Sequence, residues 1–392
     1  MRLYLTALNP TDAVLHGFLP AASSLALPVT VLTDQPERWP SDVSVQGCVV
    51  REPAAVLTAV AGGEPPAALL SNSDHLQAAT ALAARRLGLP GKDPEVARRC
   101  KDKAAARRAV AEAGLDPVRI VVVEPGAVPV VAADIFPAVV KPREGVASED
   151  AYLVADHREL AARVAEIRTR RPEVALLVEE YLAGEVRTHE TLGDDADLVV
   201  LGGWRTGLGP PPTFTEESLD WAPPAVSETA QLRKQLDALG VRFGACHTEY
   251  VVQDGRVRLI EVNYRLIGDR MDLILAELLG VPLFEYVIRL HLGEPLAAFD
   301  LPTPNTVERH ARVEYVCADR SGRLVTAPGQ LDADVDGVRL GCRPLRTVGH
   351  TAEVTGTNRD YLAVLHAIGP ADGTVRRTLT DFRAGLRWEI AG

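Results

Sequence analysis

Two adjoining runs decide the reading: Ala245-Cys246-His247-Thr248-Glu249-Tyr250-Val251-Val252-Gln253, and Arg256-Val257-Arg258-Leu259-Ile260-Glu261 with its continuation Val262-Asn263-Tyr264-Arg265. Both are apolar and β-branched, and Asp254-Gly255 between them is a strong signal for a two-residue hairpin turn. The spacing predicts two antiparallel strands. Residues two apart share a face, so Glu261 and Asn263 point together, and Glu249 joins them if the turn sets the register so. Two carboxylates and an amide oxygen are the hard ligands that Mg2+ takes when it also holds phosphates. The competing reading is a solvated strand face with ordinary charges. Leu259, Ile260 and Val262 surround Glu261, so the face is expected to be partly buried, where an unpaired carboxylate needs a metal or a cation.

Working outward, the first hundred residues alternate strand-like runs (2–8, 29–32, 45–50, 67–70) with helical periodicity over 73–86 and a helix start at Asp93-Pro94-Glu95. That alternation predicts a mainly parallel sheet covered by helices. Further helices are expected over 102–113, 156–169 and 227–239, with strands at 120–123, 138–141 and 175–178. Glycine and proline crowd Gly202–Pro212, and the stretch 198–224 reads as a long mobile loop. The last hundred residues read as strand-rich, then helical from Asp360 to Ile368.

The chain has 392 residues, 47% hydrophobic and 24% charged, enough for two or three domains with a sizeable core. Its net charge of −11 argues against a nucleic-acid partner. The N-terminal residues lack a signal-peptide pattern, and no apolar run is long enough to span a bilayer. Five scattered cysteines form neither a disulfide framework nor a CxxC site. A cytoplasmic enzyme without a membrane partner is expected. Only five of the 42 basic residues are lysine (92, 101, 103, 141, 234). A lysine retained in so arginine-biased a chain suits a place where a compact, mobile point charge must follow a phosphate.

Taken in order, Lys103, Lys141, Glu179-Glu180-Tyr181-Leu182, Glu249 and Glu261-Val262-Asn263-Tyr264-Arg265 resemble the ATP-grasp superfamily over roughly residues 1–297. The stretches Cys246–Glu249 and Leu259–Asp269 are similar to its amino-acid-ligase branch. The resemblance implies an α/β chain with an N-terminal parallel-sheet domain (1–98), a two-subdomain ATP-grasp core (99–297, hinge near 179–182) and a C-terminal α+β lid domain (298–392). It implies ATP and Mg2+, with Mn2+ as a substitute, and assigns Glu249, Glu261 and Asn263 to the metal. Lys103 and Lys141 would hold phosphates. The turn Gly145–Ser148 would be the phosphate-covering flap, with Ser148 among its donors. Glu179, Glu180 and Leu182 would form the hinge, where the Glu180 carbonyl and the Leu182 N–H meet adenine. Val186 stands where many relatives carry a ribose-binding glutamate, and Glu185 is taken in its stead. Arg265 would stabilise charge at the γ-phosphate, Arg270 would meet a substrate carboxylate, and His247 would act on the phosphate side.

The function implied is joining a carboxylate to an amine, one of them an amino acid, through an acyl phosphate, in peptide or siderophore-type metabolism. The chain would act alone or as a homodimer on small molecules. An ATP-grasp carboxylase, a purine-pathway ligase and a non-catalytic nucleotide-binding module are the alternatives.

Overall fold

The computed structural model describes all 392 residues. In its first part, short apolar strands alternate with helices: β1 (Arg2–Thr6), α1 (Leu19–Ser24), β2 (Val29–Thr33), β3 (Val45–Gly47), α2 (Pro53–Ala61), β4 (Pro66–Leu70) and α3 (Gln77–Arg86). The strands are all parallel, in the order β3-β2-β1-β4. Helices cover both faces, so Leu3 and Leu5 are buried on one side and Tyr4 on the other.

Two helices lead into the second part. Asp93 caps α4 (Pro94–Lys101) by accepting from the Glu95 and Val96 N–H groups. Asp102 caps α5 (Lys103–Glu112) by accepting from Ala105, which fixes where Lys103 enters the fold. The strands β5 (Ile120–Val123), β6 (Ala138–Pro142) and β7 (Tyr152–Val154), the helix α6 (His157–Arg170) and the strand β8 (Leu176–Glu180) follow. They make an antiparallel sheet in the order β5-β8-β6-β7, with Leu160, Val164 and Ile167 of α6 packed on it.

The chain then builds a ten-stranded antiparallel sheet. Its members are β9 (Val186–Asp194), β10 (Leu198–Gly202), β11 (Trp204–Leu208), β12 (Glu216–Trp221), β13 (Phe243–Gln253), β14 (Arg256–Asn263), β15 (His310–Cys317), β17 (Leu331–Val335), β18 (Val338–Pro344) and β20 (Tyr361–Gly369). The order is β14-β13-β9-β11-β12-β15-β20-β18-β17, with β10 on β9. Helices α7 (Val226–Leu239), α8 (Met271–Leu279), α9 (Leu283–His291) and α10 (Asp372–Ala384) accompany it. Strands β16 (Gly322–Thr326), β19 (Thr351–Ala352) and β21 (Glu389–Ala391) form a small separate sheet. Because β12 pairs with β15, the large sheet runs straight across residue 297.

Two expectations fail here. The stretch 198–224 is not a long loop but three strands, β10 to β12. Its glycines mark close approach: a Cβ on Gly202 would lie 1.9 Å from Trp221, and one on Gly203 would lie 2.1 Å from the Thr188 carbonyl. Of residues 360–368, Asp360 ends a short 3-10 turn and 361–368 are not helical but belong to β20, all nine of whose residues are buried. A strand buried on both faces loses the period-2 alternation and reads like a buried helix. The helix, α10, follows it.

Candidate active site

The hairpin turns at Asp254 (φ 51) and Gly255 (φ 74), the left-handed pair of a tight two-residue turn. Pairing proceeds from Gln253↔Arg256 to Tyr250↔Leu259. Continued unbroken, that register would set Glu249 opposite Ile260 and turn Glu261 to the other face. The register shifts instead, so Glu249 lies opposite Glu261 and His247 opposite Asn263. This is a one-residue bulge. Consecutive residues Ile260 and Glu261 consequently both line the same cavity.

On the neighbouring strand β9, Glu190 lies beside His247 and Thr188 beside Glu249. His247 Nδ1 is 2.8 Å from Glu190, and its Nε2 is 3.4 Å from Glu249. Burial works against the charged imidazole, but the two carboxylates outweigh it and raise its pKa to about 10. Burial likewise opposes ionisation of Glu249, yet His247, Lys103 and Lys141 together hold its pKa below the usual value. Lys103 Nζ donates to Glu261 at 2.8 Å and to the Gly145 carbonyl at 2.9 Å. Lys141 pairs with Glu179, which is also 3.1 Å from Arg107. Two further lysines do not line the site: Lys101 pairs with Asp74, and buried Lys92 donates to Gln77 and to the Tyr264 carbonyl.

Lys103, Lys141, Glu179, His247, Glu249 and Glu261 floor a cavity of about 650 Å³. The flap forms one wall, with Ala147 (φ 57) and Ser148 (φ 55) in the left-handed region and Asp150 (φ 58) just beyond. It is latched to the C-terminal part, since the Asn358 N–H donates to the Ala147 carbonyl and Arg359 reaches Glu149 at 3.3 Å. At the hinge the Tyr181 N–H is taken by the Pro137 carbonyl, whereas the Leu182 N–H has no partner in the protein. The far end is lined by Asp12, Asp74, Glu216, Arg265, Asp269, Arg270, Asp272, Tyr315 and Arg346.

Of the residues expected at the site, Lys103, Lys141, Ser148, Glu179, Leu182, His247, Glu249, Glu261, Asn263, Arg265 and Arg270 line this cavity. Arg265 is 3.9 Å from Asp74, and Arg270 pairs with Asp12 at 2.8 Å. Glu180 turns its side chain away to Arg119 and Arg258, leaving only its backbone near the hinge. Glu185 does not reach the cavity. Alternation points it opposite to Val186, and it pairs with Arg187 and Arg205 instead. Arg107, Glu190, Asp74 and Glu216 were not anticipated. Each owes its place to a partner far away in sequence, for which no local spacing exists. No three His, Cys, Asp or Glu side chains converge into a self-sufficient metal cage. The donor set of two facing carboxylates and an amide oxygen instead suits a cation that completes its shell with phosphate and water.

Comparison with known proteins agrees with this fold. The L-amino acid ligase from Bacillus licheniformis superposes over 100% of this chain and 99% of its own, with a TM-score of 0.83 at 20% identity. The biotin carboxylase domain of the 2-oxoglutarate carboxylase from Hydrogenobacter thermophilus, solved with MgADP, covers 100% of this chain and 91% of its own (TM-score 0.69, 14% identity). The uncharacterized protein y4rH of Sinorhizobium fredii is 28% identical over 345 residues, which span 83% of this chain and 68% of that protein. The family described as carbamoyl-phosphate synthase L chain, ATP binding domain, matches residues 102–299, from the cap of α5 to just beyond α9. The chain therefore belongs to the ATP-grasp superfamily, as a member of that ATP-binding family.

Proposed function

We propose that this chain is an ATP-dependent carboxylate–amine ligase that forms an amide or peptide bond through an acyl phosphate and releases ADP and phosphate. The observation that carries the reading is the meeting of Lys103, Lys141, Glu249, Glu261, Asn263 and Arg265 in one cavity. Glu249, Glu261 and Asn263 would hold Mg2+, which when bound would neutralise charge on the phosphates. Lys103 and Lys141 now rest on Glu261 and Glu179. Both are point charges on flexible stems, able to turn from those carboxylates to phosphate oxygens. Ile260, Leu182 and Val186 supply an apolar wall for adenine, and the Leu182 N–H an edge donor. Arg265 faces the place where charge develops during transfer.

The far end favours an amine and an amino acid. Burial and the charges of Glu249 and Asp269 raise the Glu216 pKa to about 8, and burial raises that of Asp272 to about 7. An ammonium beside them would restore their charge, while Arg346, bonded only to the Leu345 and Arg359 carbonyls, is free to meet a carboxylate. Peptide or siderophore-type metabolism is the setting that suits such substrates.

The decisive test omits the amine. With carboxylate, ATP and Mg2+, hydroxylamine should trap a hydroxamate, and ADP should be the nucleotide product. Carboxylate ¹⁸O should reach inorganic phosphate in complete turnover. AMP and pyrophosphate would mean adenylation and would end this reading.

A further inference from the structure

Behind the bulge stands a buried cation that the reaction scheme leaves unused. Arg107 lies on α5, one turn beyond Lys103, and its side chain is 4% exposed. Its guanidinium donates to the Leu259 carbonyl, to the Ile260 carbonyl at 3.2 Å and to Glu179 Oε2 at 3.1 Å. A bulge disrupts the ladder and leaves backbone groups without their strand partners. Buried carbonyls in that position need a donor from elsewhere. The rigid five-donor fork of arginine can serve two carbonyls and a carboxylate at once, which a lysine cannot. Glu179, the third partner, also holds Lys141. Glu261 follows Ile260 directly, so the atoms Arg107 grips are one peptide away from the face that carries the two carboxylates.

We propose that Arg107 is a positioning residue: by holding the Leu259–Ile260 bulge it sets Glu261 beside Glu249, and through Glu179 it sets Lys141. The role rests on the metal and phosphate assignments above. It also explains why the hairpin keeps an irregularity in an otherwise continuous ladder, since without it Glu261 would face away from the cavity.

The test uses the full chain with Arg107→Lys and Arg107→Met, and ATP as the probe. ATP binding is titrated calorimetrically in EDTA and then in Mg2+, and hydrogen exchange is followed in peptides covering 258–263. In the unaltered protein Mg2+ should tighten ATP binding. In Arg107→Lys that Mg2+-dependent gain should shrink at least ten-fold, and the 258–263 peptides should exchange faster, while peptides from β1 and β2 exchange as before. A merely structural role would not single out the Mg2+-dependent part. An unchanged gain with unchanged exchange in folded Arg107→Lys overturns the proposal. Unfolding of both variants would assign Arg107 to the core and overturn it too. If the unaltered protein fails to bind ATP, the nucleotide reading falls, and the exchange arm still decides whether Arg107 holds the bulge.

Discussion

Glu249 and Glu261 oppose each other across two strands, an arrangement that repulsion makes unfavourable unless cations attend it. Here His247 serves one and Lys103 the other. Glu261→Gln should therefore leave the fold intact by circular dichroism, since it removes a repulsion. ADP release should nevertheless fall by about 10²-fold or more, because a neutral amide cannot share a divalent cation with phosphates. Full activity in the folded variant would remove Glu261 from the site. Lys141→Ala should raise the apparent ATP constant far more than the carboxylate constant, and Lys141→Arg should restore little, as a planar fork does not replace a point charge. An unchanged ATP constant would make Lys141 a structural partner of Glu179 alone.

Among the elements, the flap and the hairpin turn both contain unusual backbone. Ala147 and Ser148 occupy left-handed conformations that non-glycine residues adopt only when surroundings hold them. The surroundings in question are the Asn358 N–H and the Arg359–Glu149 pair. Arg359→Ala should loosen the flap, so that ATP is hydrolysed without product forming, because a closed flap keeps water from the anhydride. The measurement is the ratio of ADP to coupled product, and an unaltered ratio would show that the latch is idle. At Gly255 the φ is +74 and an added Cβ meets nothing within 4 Å. Gly255→Ala should then lose about 1–2 kcal/mol in chemical denaturation through backbone strain alone. A neutral result would mean that the turn relaxes.

At the scale of the molecule, the large sheet and the main core both cross residue 297. The β12–β15 pairing and a core joining Leu3, Phe243, Val313 and Tyr361 tie all three parts together. A chain ending at 297 would expose the β12 edge and open that core, and it should give no cooperative thermal transition. A sharp transition near that of the full chain would contradict this. The pH dependence also belongs here. Burial lowers the pKa of His189 to about 3, and that of His291 and His366 to about 4. Groups with depressed folded values contribute stability above their unfolded pKa of about 6.5 and lose it as pH falls towards 4, because the unfolded chain binds the extra protons. His247 has the opposite sign. Its raised value gives stability that is fully present below about 6.5 and is lost as pH rises to about 10. Neither ring nitrogen of His189 has a partner. His189→Leu should accordingly make thermal stability fall less steeply between pH 6.5 and pH 4, and an unchanged slope would show that His189 does not titrate there.

Much of this was legible locally. The hairpin, its Asp254-Gly255 turn, the parallel N-terminal sheet and the helix start at Asp93 follow from period, turn chemistry and capping, all of which act within a few residues. The order of the two lysines, the hinge and the paired carboxylates pointed to the superfamily before any geometry. What local rules could not supply was the face on which Glu261 lies. Counting from the turn puts it opposite to Glu249, and only the bulge at Ile260, gripped by an arginine some 150 positions earlier, brings the two together. The strands between 198 and 221 and the buried strand 361–369 were hidden for a related reason: their glycines and unbroken apolar runs answer to neighbours across the sheet. Residue types and short spacings thus determined which groups were available. The tertiary structure decided which of them meet, because register and burial are set by contacts between segments distant in sequence.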